Sequence, residues 1–255
     1  ARRRAEGRAH VVEYFHQIDD PYSHLMAQVI ARFAERYDID IVPPLIRASG
    51  GRNQPEQEKL AVWARRDCAL IAPHYGLNFP PNAPVMPEHG QQQAASRLLA
   101  KRSADEFLAR IESVSSAVWS GDAVDVGQTT VTSTEAEAAL DSGSARLADL
   151  NHYSGAMLYY GGEWYWGVDR LFHLEQRLRD LGACKAPEQS YLVPRPEVDI
   201  SSVDASGLHL HFFPSLNSPY TSIIFDKTIE LSEACNINFH HKPVLPMIMR
   251  GVAAT

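Results

Sequence analysis

The sequence predicts an α/β protein built from two related units, and three features of the chain support this. A short β-like run, an acidic residue and Pro-Tyr-Ser opening an amphipathic helix occupy residues 11–23. The same pattern returns at residues 208–221, with Ser218 in place of the acidic residue and Thr221 in place of the serine, and a constant offset of 198 positions aligns the two copies. An aromatic-rich hairpin followed by a helix lies between them. A repeat this widely spaced indicates two copies of a domain, because solenoid repeats have periods of roughly 20 to 50 residues.

The first unit opens with a predicted β-α-β segment. Residues 11–18 are rich in Val, Tyr, Phe and Ile, which is typical of a strand. Asp20 suits the N-cap of the following helix, and Pro21 suits its first position, where the missing N–H costs nothing. Apolar residues at helical spacing predict a single helix to about Tyr37, and a second strand is predicted over residues 39–42. Two strands around one helix favour a right-handed crossover with parallel strands.

A helical block and a β-hairpin are predicted next. Apolar residues at helical spacing predict helices over about 55–75, 91–101, 104–120, 133–141 and 144–151. Two aromatic-rich runs joined by Gly161-Gly162 then predict a hairpin. The last helix of the unit is predicted over residues 168–181, because Gly182 follows its apolar stripe as a stop signal.

The domain organisation follows from these elements. We expect a first domain over residues 10–183, with a helical insertion at about 54–151. Residues 184–206 are rich in Pro and Ser and predict a linker. Residues 207–255 are expected to form the opening β-α-β of a second domain. They are too few to repeat the whole first unit, so the second copy is expected to be incomplete in this chain or degenerate, and we favour the former.

The overall composition and charge limit the classes of protein to which the chain can belong. The chain has 255 residues, of which 45% are hydrophobic and 22% charged, as in ordinary globular proteins. A net charge of −7 argues against a nucleic-acid partner. No apolar run approaches the roughly 18 residues that span a bilayer, so no membrane partner is expected. No apolar signal-peptide core stands at the start, and a cytoplasmic location is therefore expected.

The cysteines and histidines exclude two kinds of chemistry. Cys68, Cys184 and Cys235 lie far apart and form no C-x-x-C, so neither a disulfide framework nor a local redox dithiol is predicted. His209 and His211 share one face of a predicted strand, which raises the alternative of a metal site. No Cys/His/Asp quartet with zinc-like spacing accompanies them, and no metal site is predicted.

Several short motifs resemble those of one family. They are Asp-Pro-Tyr-Ser at 20–23, Ser-Pro-Tyr-Thr at 218–221, Trp-Gly-Val-Asp-Arg at 166–170 and, less strictly, Gly-Arg-Asn-Gln-Pro at 51–55. With the order of elements, they resemble the DsbA-like thioredoxin-fold family, nearest to 2-hydroxychromene-2-carboxylate isomerases and kappa-class glutathione transferases. The resemblance covers roughly residues 10–183 and 207–251. It implies a thioredoxin-like mixed sheet with a helical insertion, followed by the start of a second thioredoxin-like domain.

The resemblance also implies a function. Members of this oxidoreductase family carry out disulfide exchange, isomerisation or transfer with a thiol or glutathione. Because the chain has no C-x-x-C, the surviving hypothesis is a glutathione- or thiol-dependent isomerase or transferase acting on a small molecule, with an aromatic substrate as one alternative. The alternative is that the first domain is a non-catalytic binding or assembly module of a tandem protein. Whether a homodimer completes the site stays open.

Three residues are the catalytic candidates that the resemblance implies. Asp20 occupies the position of the first cysteine of redox relatives and of the serine of glutathione-binding relatives, and Ser23 occupies that of the second cysteine. A carboxylate at this position would repel a thiolate instead of donating a hydrogen bond to it. Ser218 keeps the family hydroxyl in the second copy and is the strongest candidate to orient a sulfur. Asp20 and Ser218 could also be plain N-caps, with Ser23 in the first turn.

Further residues are implied as contacts of bound glutathione. Asp169 and Arg170 form the turn that grips its γ-glutamyl end in relatives, although they could equally be helix-start charges favoured by the dipole. Asn53 would contact the ligand across the cleft. Gly155 and Ala156 end the loop in which the family carries a cis-proline. This loop has no proline, so we expect a trans bond there, since a non-proline cis bond costs roughly 2.5–4 kcal/mol.

Overall fold

The computed structural model describes residues 7, 9–49, 56–127, 129–195 and 197–245. The chain divides into two compact units, Ala1–Pro196 and Glu197–Thr255, which we call the first and second units. None of the helices in the described ranges is long and apolar enough to cross a membrane.

A mixed sheet forms the centre of the first unit. Its strands are β1 (Val11–Gln17), β2 (Asp40–Val42), β3 (Leu45–Ile46), β4 (Met157–Tyr160) and β5 (Glu163–Trp166). Along the sheet the order is β2-β1-β4-β5, with β3 pairing the end of β1. The first strand is parallel to β2 and β3 and antiparallel to β4, and β4 is antiparallel to β5. This is a thioredoxin-like mixed sheet, and it confirms the predicted fold class.

Helices cover this sheet and form the insertion. They are α1 (Pro21–Ala27), α2 (Ile30–Arg36), α3 (Gln57–Ile71), α4 (His89–Leu99), α5 (Ala104–Ser120), α6 (Ser133–Asp149) and α7 (Val168–Asp180). The helices α5 and α6 each begin with a capping box, in which Ser103 pairs with Glu106 and Thr132 with Glu135. Fully buried aromatic residues, among them Tyr14, fill the core.

The predicted β-hairpin is present and its turn explains the two glycines. Tyr160 of β4 stands opposite Glu163 of β5, which leaves a two-residue loop. Gly161 has a φ of 56° and Gly162 a φ of 89°. Two consecutive residues with positive φ are the requirement of the turn that matches the twist of a hairpin, and glycine meets it without steric cost.

The first predicted helix is in fact two helices, so the prediction of one continuous helix was wrong. The amides of Gln28 and Val29 bond to carbonyls three residues earlier, on Leu25 and Met26, at 3.3 and 3.0 Å. The Gln28 side chain donates to the Asn78 carbonyl at 2.8 Å and accepts from the Asn78 amide at 2.9 Å. The interruption between α1 and α2 therefore coincides with the position at which the helical insertion is hydrogen-bonded to Gln28.

The two short helices predicted over residues 133–151 are one helix, α6. Gly143 lies inside it, where the helix crosses β3. A Cβ at this position would stand 2.0 Å from the Leu45 carbonyl oxygen, so only glycine allows this approach of two backbones. The glycine thus marks close packing and not a helix end.

Part of the predicted linker packs against the first unit. Glu175 of α7 is fully buried and accepts hydrogen bonds from the amides of Leu192 and Val193 at 2.8 and 3.1 Å. It also accepts one from the Tyr37 hydroxyl at 2.8 Å. Because a buried carboxylate needs such partners, these bonds fix residues up to Val193 on α7.

The second unit contains a β-α-β segment. Its elements are β6 (His209–Phe212), α8 (Pro219–Ala234) and β7 (Asn238–His241), and β6 is parallel to β7. The helix packs on one face of the two strands, where Phe225 contacts Phe212 at a ring distance of 5.8 Å. The predicted order of elements is therefore present. That this unit is the start of a second thioredoxin-like domain stays a prediction.

Candidate functional site

Asp20 is the N-cap of α1, and its carboxylate is held by the first turn. One oxygen, Oδ1, accepts from the Tyr22 amide at 3.3 Å, and the other, Oδ2, accepts from the Ser23 amide at 2.9 Å. Burial raises the pKa of Asp20 to about 6, against the effect of these hydrogen bonds and with a small contribution from the Asp19 charge. A carboxyl with this pKa exists in both protonation states near neutral pH, which suits it to proton transfer.

Ser23 lies beneath Asp20 and is fully buried. Its hydroxyl donates to Asp20 Oδ2 at 2.8 Å. Ser23 Oγ also accepts hydrogen bonds from the Gln17 amide at 3.2 Å and from the Ala156 amide at 2.9 Å. The serine thus ties the start of α1 to β1 and to the loop before β4, and its hydrogen-bonding capacity is in use.

Replacing Ser23 with alanine is expected to destabilise the first unit by about 1–3 kcal/mol. The change leaves the buried amides of Gln17 and Ala156 without an acceptor, and an unsatisfied buried donor carries a cost of this order. All four tryptophans lie in the first unit, so urea unfolding followed by tryptophan fluorescence measures its stability. Ser113→Ala on the exposed face of α5 is the matched control; an equal loss in both variants would contradict the prediction.

A cavity of about 530 Å³ opens beside Asp20, a volume suited to a small molecule. The start of α1, one face of α3 and the loop before β4 form its walls. Its larger apolar and aromatic lining residues are Tyr22, Leu60, Trp63, Met86, Tyr153 and Trp166. Asp19 and Asp20 are its acidic residues, and no Lys or Arg is found among the lining residues that the structure describes.

The aromatic walls of the cavity are held by specific contacts. The Tyr22 hydroxyl donates to Asp67 Oδ2 at 2.8 Å, and the Tyr22 ring meets the Trp166 ring edge-on at 5.7 Å. His152 packs against Trp164 at a ring distance of 4.4 Å, and burial lowers the pKa of His152, which keeps it neutral. The walls on this side are therefore uncharged and positioned in advance of a ligand.

Gly155 brings the loop before β4 against Asp20. A Cβ on Gly155 would lie 2.8 Å from Asp20 Oδ2 and 2.7 Å from the Gln17 Cβ, so a larger residue would displace the carboxylate. No cis peptide bond occurs in the described part of the chain, and the expected trans bond is present in this loop. Ala156 follows with a φ of 54° and is fully buried, whereas Gly155 borders the cavity.

The remaining predicted ligand contacts lie away from the cavity or outside the described residues. Asp169 and Arg170 open α7 and form an ion pair with each other at 3.4 Å, and neither is among the described residues that line the cavity. Asn53 lies outside the described residues. Ser218 is the N-cap of α8 in the second unit and is half-buried. Its side chain makes no capping hydrogen bond within the described ranges.

The cysteine and histidine side chains bear on the redox and metal chemistry considered from the sequence. Cys68, Cys184 and Cys235 are free thiols. Burial raises the pKa of Cys68, which keeps that thiol protonated and unreactive. His209 Nδ1 lies 2.7 Å from His240 Nε2 on the second unit. Within the described ranges, no group of three or more His, Cys, Asp or Glu residues is arranged to hold a metal ion.

The sequence did not identify the α3 wall of the cavity. Leu60 and Trp63 lie on one apolar face of the helix predicted over residues 55–75, but Trp63 is 59% exposed and both border the cavity. Their helical spacing was a usable signal, although it does not distinguish a core face from a cavity wall. Met86 lies in the Pro-rich stretch, where no periodic pattern marks it.

Comparison with known proteins supports the fold. No protein-family model matches the chain, and neither does any curated protein. The solved structure of a 2-hydroxychromene-2-carboxylate isomerase is similar over 71% of this chain and 100% of its own, with 23% sequence identity and a TM-score of 0.50. A candidate protein disulfide isomerase from Nitrosomonas europaea is similar over 68% of this chain and 96% of its own, with 18% identity and a TM-score of 0.44.

The sheet topology and the similarity to the solved isomerase define the fold class of the protein. The chain has a thioredoxin-like fold, which it shares with the solved 2-hydroxychromene-2-carboxylate isomerase. The resemblance seen in the sequence, to this fold and within it to 2-hydroxychromene-2-carboxylate isomerase, is thereby confirmed at the level of the fold.

Proposed function

We propose that the first unit is an isomerase- or transferase-type enzyme for a small, partly aromatic molecule, with Asp20 as its proton-transferring group. The observation that carries this proposal is the Asp20 carboxyl, with a pKa of about 6, on the wall of a cavity lined by aromatic rings. A general acid or base is most effective when its pKa lies near the operating pH. The aromatic walls would hold the substrate in front of this carboxyl.

A thiol such as glutathione is the co-substrate that the sequence resemblance implies. In the proposed step, the Asp20 carboxylate accepts the proton of the S–H group. The protonated carboxyl then donates a hydrogen bond to the sulfur, so the repulsion expected between a carboxylate and a thiolate does not arise. The sulfur forms its bond to the electrophilic carbon of the substrate, the leaving group departs with the bonding electron pair, and Asp20 then releases its proton to solvent.

The experiment for this proposal uses glutathione and a neutral aromatic electrophile, 1-chloro-2,4-dinitrobenzene. The thioether and chloride are the products, and the release of chloride or the appearance of the thioether measures turnover. Turnover above the uncatalysed rate supports the proposal. If the protein binds the aromatic probe but gives no turnover with glutathione or another small thiol, the enzyme proposal is wrong.

The rate of this reaction is expected to depend on pH through Asp20. Proton acceptance requires the ionised carboxylate, which predominates above its pKa of about 6. The value of kcat/KM should therefore fall about tenfold for each pH unit below 6 and level off above it. In Asp20→Asn the decrease in kcat/KM below pH 6 should be absent. If the variant keeps this decrease with the same midpoint, another group is responsible for it.

A second candidate function is a non-catalytic binding module, and one observation favours it. The amides of Tyr22 and Ser23, which a sulfur anion at the start of α1 would need, are already bonded to Asp20. Ser23 is likewise fully engaged and buried. In this alternative Asp20 is a structural cap, and the cavity binds a ligand without chemical change.

A further inference from the structure

The charge of the cavity bears on the kind of molecule that it accepts. Its acidic residues, Asp19 and Asp20, are neighbours on one wall. No Lys or Arg lines it in the described part of the chain, and burial lowers the pKa of His152. Arg66 lies over the Trp63 ring at 5.4 Å, outside the lining. An anionic group placed at this wall would have to give up its hydration beside two carboxylates without a cationic partner among these residues.

Asp20 retains capacity to accept a hydrogen bond from a ligand. Its Oδ1 has one partner in the described structure, the Tyr22 amide at 3.3 Å, whereas Oδ2 has two. An ionised carboxylate oxygen can accept more than one hydrogen bond, and one from a charged donor is about twice as strong as a neutral one. The group that this oxygen would receive best is an ammonium or another protonated nitrogen.

The aromatic lining favours the same kind of ligand. Tyr22, Trp63, Tyr153 and Trp166 line the cavity, and the face of an aromatic ring attracts a cation. The position of the Arg66 guanidinium over Trp63 shows one such contact already formed in this protein. The same rings provide the apolar surface that the uncharged body of a ligand requires.

From this combination of carboxylates and rings, we infer that the cavity selects an aromatic amine, in which a protonated nitrogen forms its ion pair with Asp19 and donates a hydrogen bond to Asp20 Oδ1. The ring of the amine then packs on the aromatic wall. This inference rests on the proposed function, because it names the substrate class of the same cavity. A carboxylate substrate, in contrast to an amine, would meet two like charges at this wall.

A series of probes that differ only in charge tests the inference. Phenethylammonium, phenethyl alcohol and phenylacetate are titrated into the full chain, and binding is followed by tryptophan fluorescence, since Trp63 and Trp166 line the cavity. Phenethylammonium is expected to bind at least about tenfold more tightly than the alcohol, and phenylacetate more weakly than either. In Asp20→Asn and Asp19→Asn the preference for the amine should decline towards equal affinity.

Asp38→Asn is the matched control, because Asp38 is exposed and does not line the cavity, and it should keep the full preference. Equal binding of amine and alcohol to the unmodified protein, or tighter binding of phenylacetate, overturns the inference but leaves an aromatic site for the proposed enzyme. If none of the three probes binds, the inference and the proposed function both fail. The asparagine variants keep a good N-cap residue at position 20, so loss of folding does not obscure the result.

Discussion

Gly143→Ala is expected to destabilise the first unit by about 3 kcal/mol or more. The new Cβ would stand 2.0 Å from the Leu45 carbonyl oxygen and 3.0 Å from its carbonyl carbon, far inside van der Waals contact. Both atoms belong to the backbone of β3, so relief requires a shift of α6 or of the sheet edge. Overpacking of this kind typically costs 1–3 kcal/mol, and a clash with backbone belongs at or beyond the upper end of that range. Urea unfolding followed by tryptophan fluorescence measures the loss.

Gly90→Ala provides the control for this prediction. Gly90 lies in α4, and a Cβ there would have no atom within 4 Å. Alanine in a helix restricts the unfolded chain more than glycine does, so stability should stay the same or rise by up to about 1 kcal/mol. If both variants have the stability of the unmodified protein, α6 does not approach β3 as closely as the structure shows.

Asp20→Asn is expected to lower the rate of glutathione conjugation by a factor of about 10² to 10⁴, which is the usual contribution of a general acid or base. Asparagine is an equally good N-cap residue, and its carbonyl oxygen can replace the carboxylate oxygen that accepts from the Ser23 amide, so α1 should keep its start. It cannot accept a proton at neutral pH. The variant therefore separates the chemical role of Asp20 from its structural role.

The measurements for this variant are turnover with 1-chloro-2,4-dinitrobenzene and unfolding by urea, made on the same preparation. Asp38→Asn is the control and should retain full turnover. A variant that folds normally and has lost turnover supports Asp20 as the proton-transferring group. Full turnover in Asp20→Asn would instead favour the structural cap, with any chemistry carried by another group.

The features that the sequence predicted correctly are those set by local interactions. Asp20 before Pro21 specifies a helix start because the side chain and the fixed φ act within one turn. Gly161 and Gly162 specify a hairpin because two positive φ angles are needed between its strands. Neither feature depends on residues far away in the chain.

The features that the sequence predicted wrongly depend on distant contacts. The break at Gln28 is linked to Asn78, a residue fifty positions later, and no pattern near Gln28 indicates it. Gly143 has the same local signature in a broken helix and in a continuous one, and only its contact with Leu45 decides between them. Helix periodicity alone carries no information on either contact.

The internal repeat shows that a local sequence pattern also does not determine which residues are buried. Leu25 in α1 is fully buried, and Ile223 occupies the corresponding position in α8 but is 70% exposed. The apolar pattern is shared by the two copies, whereas the elements that cover it differ. Likewise, the sequence located the start of α1 as a candidate site but not Trp63, because the cavity wall is formed by a helix of the insertion.

The most direct measurement of the central claim is a pH titration of the Asp20 carboxyl by carbon NMR, with the resonance assigned by its loss in Asp20→Asn. The titration should have a midpoint of about 6, and the resonance should move when phenethyl alcohol occupies the cavity. A midpoint near the ordinary aspartate value of about 4, with no response to the probe, would show that Asp20 is a solvated cap and that the proposed site is wrong.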